Sequence, residues 1–257
     1  MQLIEKNLNG MGEVQFERQP DRALGCTVAQ LMPGPFVPRV ALECSGLLQR
    51  KPTALKDRLR MSIWLTSLES FRNRIAADTP VPSCGATSCV CASFGLALLL
   101  MALRKSDTRH LEDQREKNIH EVEQLMDVMK AHADNDVRAF SAYIEEPLSD
   151  AQGHSQQRTL EVTLGALAAA RGCLQGIELA QCGLPCVKPS LQCDVVAAVL
   201  ILHASLSALL LNVDSDVDQI VPSARRAELA QDRRDLQQKA DEALARAWHQ
   251  DKTFVQR

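Results

Sequence analysis

Across 257 residues the chain carries a net charge of −3 and is 46% apolar, with only 4% aromatic residues. The length allows one sizeable core or two small ones, the abundance of Ala and Leu over aromatics argues against sheets, and the charge excludes the basic footprint of a nucleic-acid binder. Nine cysteines at irregular spacing, with no apolar h-region in the first thirty residues, exclude a secreted disulfide scaffold and make a cytoplasmic location the expectation.

Residues 1–60 are read as a leader, disordered or a mis-assigned start, ahead of a helical domain over 61–257. Five of the eleven prolines fall in it, "MPGPFVP" (Met32–Pro38) cannot be a helix interior, and no amphipathic period persists. From Met61 the pattern becomes orderly. "MSIWLTSLESFRNRIAA" puts Trp64, Leu68, Phe71 and Ile75 at helical spacing, and "DTPVPSCG" (Asp78–Gly85) ends that helix. The apolar run Cys89–Leu103 predicts a second helix closing near Arg104 and Lys105, cations suited to a helix C-terminus. A long charged helix follows over roughly Thr108–Glu146, then a loop at "SDAQG" (Ser149–Gly153). Arg158–Ala180 predicts the next helix, with small residues on one side. After "CGLPCVKPS", the run "VVAAVLILHASLSALLLNV" (Val195–Val213) predicts an apolar helix, and Val221–Pro222–Ser223 starts a last charged one over Ala224–His249. Helices with short connections predict an all-α fold, an antiparallel helical bundle. The Val195–Val213 run is long enough to span a bilayer, but Asp194, Asp214 and Asp216 flank it and it lacks an aromatic or basic belt. A buried helix is expected, and no membrane partner.

The long charged helix raises a sharper question at "HADNDVRAFSAYIEEPLSD" (His132–Asp150). Its apolar stripe runs Val122, Met126, Met129, Ala133, then Asp136, then Phe140 and Tyr143, in steps of three and four on one face. Asp136 therefore occupies a core position. Asp134 falls on another face and reads as a surface residue pairing with Arg138 at i+4. A buried carboxylate needs a partner or a job, and burial raises its pKa toward the range useful for proton transfer. The rival reading is a structural aspartate that caps another helix or pairs with a buried Arg. Asp194, ahead of the most apolar helix, reads as its N-cap.

Three segments resemble the cyclodeaminase/cyclohydrolase family of folate enzymes, which includes the C-terminal domain of formiminotransferase-cyclodeaminase and methenyltetrahydrofolate cyclohydrolases. "ADNDVRAFSAY" (Ala133–Tyr143) is similar to the family's acidic stretch ending in Ala-Phe and a nearby Tyr. "QCDVVAAVLILHASLSALLLNV" (Gln192–Val213) resembles its Ser-Asp segment, apolar helix and closing Asn-Val. "TPVPSCGATSCVCASFGLALLL" (Thr79–Leu100) resembles its Pro-Gly-rich loop entering an Ala-rich helix. The resemblance covers the chain from Met61 on. It implies Asp136 as the catalytic residue, with Asp194, Asn212, Pro82, Gly85 and Tyr143 around the substrate, and a homodimer. The departures are "PSCGA" (Pro82–Ala86) where the family has Pro-Gly-Gly-Gly-Ser, no lysine in "EEPLSD", and an acidic "VDSDVD" after Asn212.

The reactions implied are hydrolysis of 5,10-methenyltetrahydrofolate to the 10-formyl form, or cyclisation of formiminotetrahydrofolate with loss of ammonia. With no formiminotransferase domain fused, the cyclohydrolase is the expected one, the cyclodeaminase the alternative, and a degenerate scaffold the rival from another class. No metal and no cofactor is required, the tetrahydrofolate derivative being the substrate. Cys182 and Cys186 lack a partner pair at zinc spacing. Cys84, Cys89 and Cys91 read as small thiols, His203 as a hydrogen-bonded core histidine, and the charges from Arg225 to Lys239 as a solvated face.

Overall fold

The computed structural model describes residues 62–107, 111–145 and 152–255, with side chains over 62–107, 111–142 and 156–247. These belong to one unit spanning Lys51–Arg257, and the leader expected over 1–60 lies outside the described residues. The described residues are all-α: α1 Leu68–Ile75, α2 Cys84–Arg104, α3 Glu112–Glu145, α4 Gln152–Gly183, α5 Gln192–Asp216 and α6 Ser223–Val255, with short 3-10 turns between them and no strand.

The first expected helix is in fact two elements. A 3-10 turn covers Ile63–Leu65, Thr66 is extended, and Ser67 starts α1 by accepting from the Ser70 N–H. A side-chain cap of this kind satisfies an N–H that the helix itself leaves open. Only Phe71 of α1 is buried, whereas Leu68 is 68% exposed. The α2 helix begins at Cys84, a turn and a half before the apolar run, and α4 begins at Gln152, inside the expected loop.

α2 and α5 make the centre. Both are long and apolar enough to cross a membrane, and both place their long side chains in the core, with Leu96, Leu99, Leu103, Leu202, Leu206 and Leu209 almost fully enclosed. Truncating one such leucine to Ala costs about 2–5 kcal/mol, because the cavity closes only in part. The helices approach closely where side chains vanish. A Cβ on Gly95 would come within 3.2 Å of the Ala198 carbonyl and of Leu202, and one on Gly176 within 3.0 Å of Leu96. α3 and α4 pack around α2 and α5, and α6 lies against α5 and α4.

Polar ties hold the ends. The Ser106 hydroxyl donates to the Ala102 carbonyl (2.7 Å) and accepts from the Lys188 N–H (2.9 Å), joining the end of α2 to the approach to α5. Arg233 grips Asp214 through two bonds of 2.8 Å, and the His203 ring meets Asp241 at 2.7 Å, so α6 is pinned along α5. His203 is thus hydrogen-bonded as expected, and the α6 charges include cross-helix pairs, Arg171 with Asp232 among them.

Candidate active site

The start of α2 and the second half of α3 meet at Asp136. Ser83 sits in the N-cap position of α2 but makes no capping bond of its own. Its hydroxyl donates instead to Asp136 Oδ2 at 2.7 Å, and the Ala86 N–H donates to the same oxygen at 2.9 Å. A carboxylate delivered from α3 therefore does the capping, at the positive end of the α2 dipole. Two effects oppose each other at this group. Burial pushes its pKa up, while the Ser83 and Ala86 bonds pull it down; burial wins, and the carboxyl titrates above the usual carboxylate range.

Gly85 is what lets the carboxylate come so close. A Cβ there would stand 2.0 Å from Asp136 Oδ1 and 2.7 Å from its carboxyl carbon. Oδ1 accepts no hydrogen bond among the described residues, so one oxygen is held and the other is free to act. The neighbouring Cys89 thiol does not compete for a chemical role. Cys89, one turn deeper in α2, is pushed up to about 12 by its burial and by the charges of Asp136 and Cys84, so it stays a neutral thiol.

Asp134 does not behave as read from sequence. It is half-buried, and its carboxylate accepts from the Ser62 hydroxyl (2.7 Å) and the Ile63 N–H (3.0 Å), capping the 3-10 turn. Arg138 bonds the Asp134 carbonyl and the Asn135 side chain, not the carboxylate. The two aspartates of "DND" thus each cap a different element. Asp134→Ala is expected to destabilise the protein by about 1–2 kcal/mol, the usual worth of a lost cap. A urea titration followed by tryptophan emission would show it, because the Trp64 indole bonds the Lys130 carbonyl beside the same turn.

The other expected site residues divide. Pro82 is buried directly ahead of Ser83. Asn212 is half-buried on α5, one turn beyond Ala208, whose carbonyl lies 3.7 Å from the Cys84 thiol, so it belongs to the same end of the helices as Asp136. Asp194 does not. It lies eighteen residues earlier in α5, about 27 Å along the axis at 1.5 Å per residue. Nor is it the N-cap: Leu191 holds that position, and Asp194 stands within the first turn. The side chain of Tyr143 lies outside the described residues.

Reasoning from sequence missed Ser83 and two half-buried titratable groups. His132 sits one turn before Asp136 on α3, and burial lowers its pKa. Asp216 sits one turn after Asn212, and burial raises its pKa to about 6. Because that value lies above the unfolded one, the native state binds the proton more tightly, and ionised Asp216 is a stability penalty. The penalty is full above about pH 6 and is lost as pH falls toward the ordinary aspartate value of 3.8. Asp216→Asn should therefore raise the melting temperature at pH 8 and leave it unchanged near pH 4, which calorimetry at the two pH values would check.

The model of the family described as Formiminotransferase-cyclodeaminase matches residues 67–235. The crystal structure of formiminotetrahydrofolate cyclodeaminase from Thermotoga maritima shares the fold, with a TM-score of 0.71 at 17% identity over 75% of this chain and 99% of that one. No curated protein matches the chain.

Proposed function

The chain belongs to the formiminotransferase-cyclodeaminase family, and on that premise we propose that it is a folate one-carbon enzyme in which Asp136 moves the proton. The observation that carries the reading is a single carboxylate, partly desolvated, with Oδ2 fixed by Ser83 and Ala86 and Oδ1 free beside Gly85. A base held in one position with its pKa raised toward neutrality is the arrangement general acid–base catalysis needs.

In the cyclodeaminase reaction, N10 of formiminotetrahydrofolate attacks the carbon of the protonated formimino group, and a tetrahedral carbon bridging N5 and N10 and bearing an amino group forms. Asp136 accepts the N10 proton and returns it to the amino nitrogen. The bond from carbon to that nitrogen breaks, ammonia leaves, and the 5,10-methenyl cation remains. In the cyclohydrolase reaction expected from the sequence, water attacks the same bridging carbon. Asp136 takes the proton from water and returns it to N5 as the C–N5 bond breaks, the remaining hydroxyl proton passes to solvent, and 10-formyltetrahydrofolate results. A carboxylate beside a delocalised cation favours both. The name of the structural neighbour supports placing the cyclodeaminase first.

We read the helices as an antiparallel bundle: contacts between α2 and α5 pair Cys84 with Ala208 and Gly95 with Ala198, so numbers rise on one helix as they fall on the other. The rest of the reading is a homodimer in the cytoplasm, the location being supported by the free thiols of the described cysteines, with neither a metal nor a further cofactor in the chemistry and with no nucleic acid or membrane as partner. The deciding experiment offers the purified protein formiminotetrahydrofolate, then methenyltetrahydrofolate, and follows methenyl absorbance and ammonia. Growth of absorbance with ammonia release identifies the cyclodeaminase, and loss of absorbance the cyclohydrolase. A folded protein that does neither is the degenerate scaffold, and this reading fails.

A further inference from the structure

We propose that Ser83 is a positioning residue of this site: its hydroxyl decides which oxygen of Asp136 takes and returns the proton. The inference rests on the proposed acid–base role of Asp136 and adds a group that acts through it. Oδ2 accepts two bonds, from the Ser83 hydroxyl at 2.7 Å and the Ala86 N–H at 2.9 Å. A carboxylate oxygen offers two lone-pair sites, so Oδ2 is full. A proton arriving there would have to expel a donor. A proton arriving at Oδ1 disturbs neither bond, because Oδ2 remains an acceptor in the neutral acid. The carboxyl can then pass between its two states without turning, and a group that needs no reorganisation suits proton transfer.

Of the two donors, only Ser83 is a side chain, and the chain holds it ready for this bond. Pro82 is buried directly ahead of it, and the Ser83 backbone is extended, with φ −91° and ψ −175°. Its carbonyl accepts from the Thr87 N–H (3.1 Å) and from the Thr87 hydroxyl (2.8 Å). A serine at a helix start ordinarily turns its oxygen to an N–H of its own first turn. Ser83 makes no such bond, so its hydroxyl is committed to Asp136 and not to α2. Without it, the Ala86 N–H alone would hold Oδ2. The carboxyl could then turn about its Cβ–Cγ bond, a soft torsion, and exchange its oxygens.

The surroundings leave this control to Ser83. Burial raises the Asp136 pKa, and of the two bonds that oppose burial the Ser83 bond is the stronger. On α2, Cys89 feels the Asp136 charge, with Cys84 and the α4 thiol of Cys173 close to Cys89. On α3, His132 lies one turn before Asp136, and Arg138 is turned to the Asp134 carbonyl and the Asn135 side chain. α5 brings the Asn212 amide to the same end. Among the described residues, no cation pairs with Asp136.

The test compares Ser83→Ala and Ser83→Thr with the wild type, and its first two readings need no substrate. Carboxyl-carbon NMR follows the titration of Asp136, whose resonance is the one lost in Asp136→Asn. Ser83→Ala should raise the midpoint by about one pH unit, as loss of a hydrogen bond to a charged group implies, and Ser83→Thr should restore it. The folded value then lies further above the unfolded one, so Ser83→Ala should lower the melting temperature near pH 8, a loss that shrinks as pH falls toward about 4. Where the wild type turns over a folate, kcat of Ser83→Ala should fall about tenfold or more with KM nearly unchanged. The acidic limb of its pH profile should move up with the midpoint. An unmoved midpoint, a stability loss that does not shrink, a Ser83→Ala chain that fails to fold, no rescue by Ser83→Thr, or unchanged kcat in an active enzyme would overturn the proposal. A moved and rescued midpoint in a protein that turns over no folate would count against the folate reading alone.

Discussion

Asp136→Asn is expected to lower turnover by roughly 10² to 10⁴, the usual worth of general acid–base catalysis, while the fold survives and its melting temperature at neutral pH rises. Activity falls because the amide cannot accept the proton. The gain in stability follows from the sign of the pKa shift. Burial outweighs the Ser83 and Ala86 bonds, so the carboxyl binds its proton more tightly folded than unfolded. The ionised form is therefore penalised above the folded pKa, and the penalty is lost as pH falls toward the ordinary aspartate value of 3.8. Asn removes the penalty and keeps one oxygen to accept from Ser83 or Ala86. Wild type and variant should converge in stability on acidification and separate as pH rises. Wild-type turnover should also fall as the pH drops through the raised pKa, because the base becomes protonated. Turnover and thermal melts from about pH 4 to about pH 8 test both halves. Full activity in the variant would remove Asp136 as the base. A lower melting temperature at neutral pH would mean the carboxylate serves α2 mainly as a cap, the structural reading its position also allows.

The all-α fold was largely legible because its long helices carry either a 3.6-residue apolar stripe or an unbroken apolar run. The stripe on α3 also placed Asp136 on the inward side. What the sequence concealed was capping supplied from a distance. "PSCGA" looks like a loop, since small polar residues show no period, yet Cys84–Ala86 are the first turn of α2. The oxygen that satisfies their N–H belongs to a residue fifty positions later. Asp134 was misread for the same reason. Nothing within α3 signals that Ser62 and Ile63 fold back onto its outer face. Asp194 was displaced from the cap by a different cause: a 3-10 turn over Pro189–Leu191 lets α5 start three residues earlier. Its separation from Asn212 was present in the spacing, because eighteen residues of helix cannot bend two ends into one site.

Gly85→Ala tests how far the site depends on that close approach. In an ordinary helix position the change would stabilise by about 1 kcal/mol, since Ala loses less backbone freedom than Gly. Here the new methyl would stand 2.0 Å from Asp136 Oδ1, a distance that real Cβ contacts never reach. The neighbour must move, and the neighbour is the proposed base. Swinging Asp136 away breaks its bonds from Ser83 and Ala86 and leaves the first turn of α2 without its acceptor. Overpacking of this kind costs about 1–3 kcal/mol, which outweighs the helix gain. The net expectation is a lower melting temperature and a loss of turnover of roughly 10² or more, since misplacing a catalytic group by about 1 Å is enough for that. Gly165→Ala is the matched control. It is also a glycine within a helix, but nothing lies within 4 Å of its added Cβ. That variant should keep full turnover and gain up to about 1 kcal/mol. Gly85→Ala behaving like Gly165→Ala would show that Asp136 does not need its place on the α2 N-terminus, and the assignment of the site would fall with it.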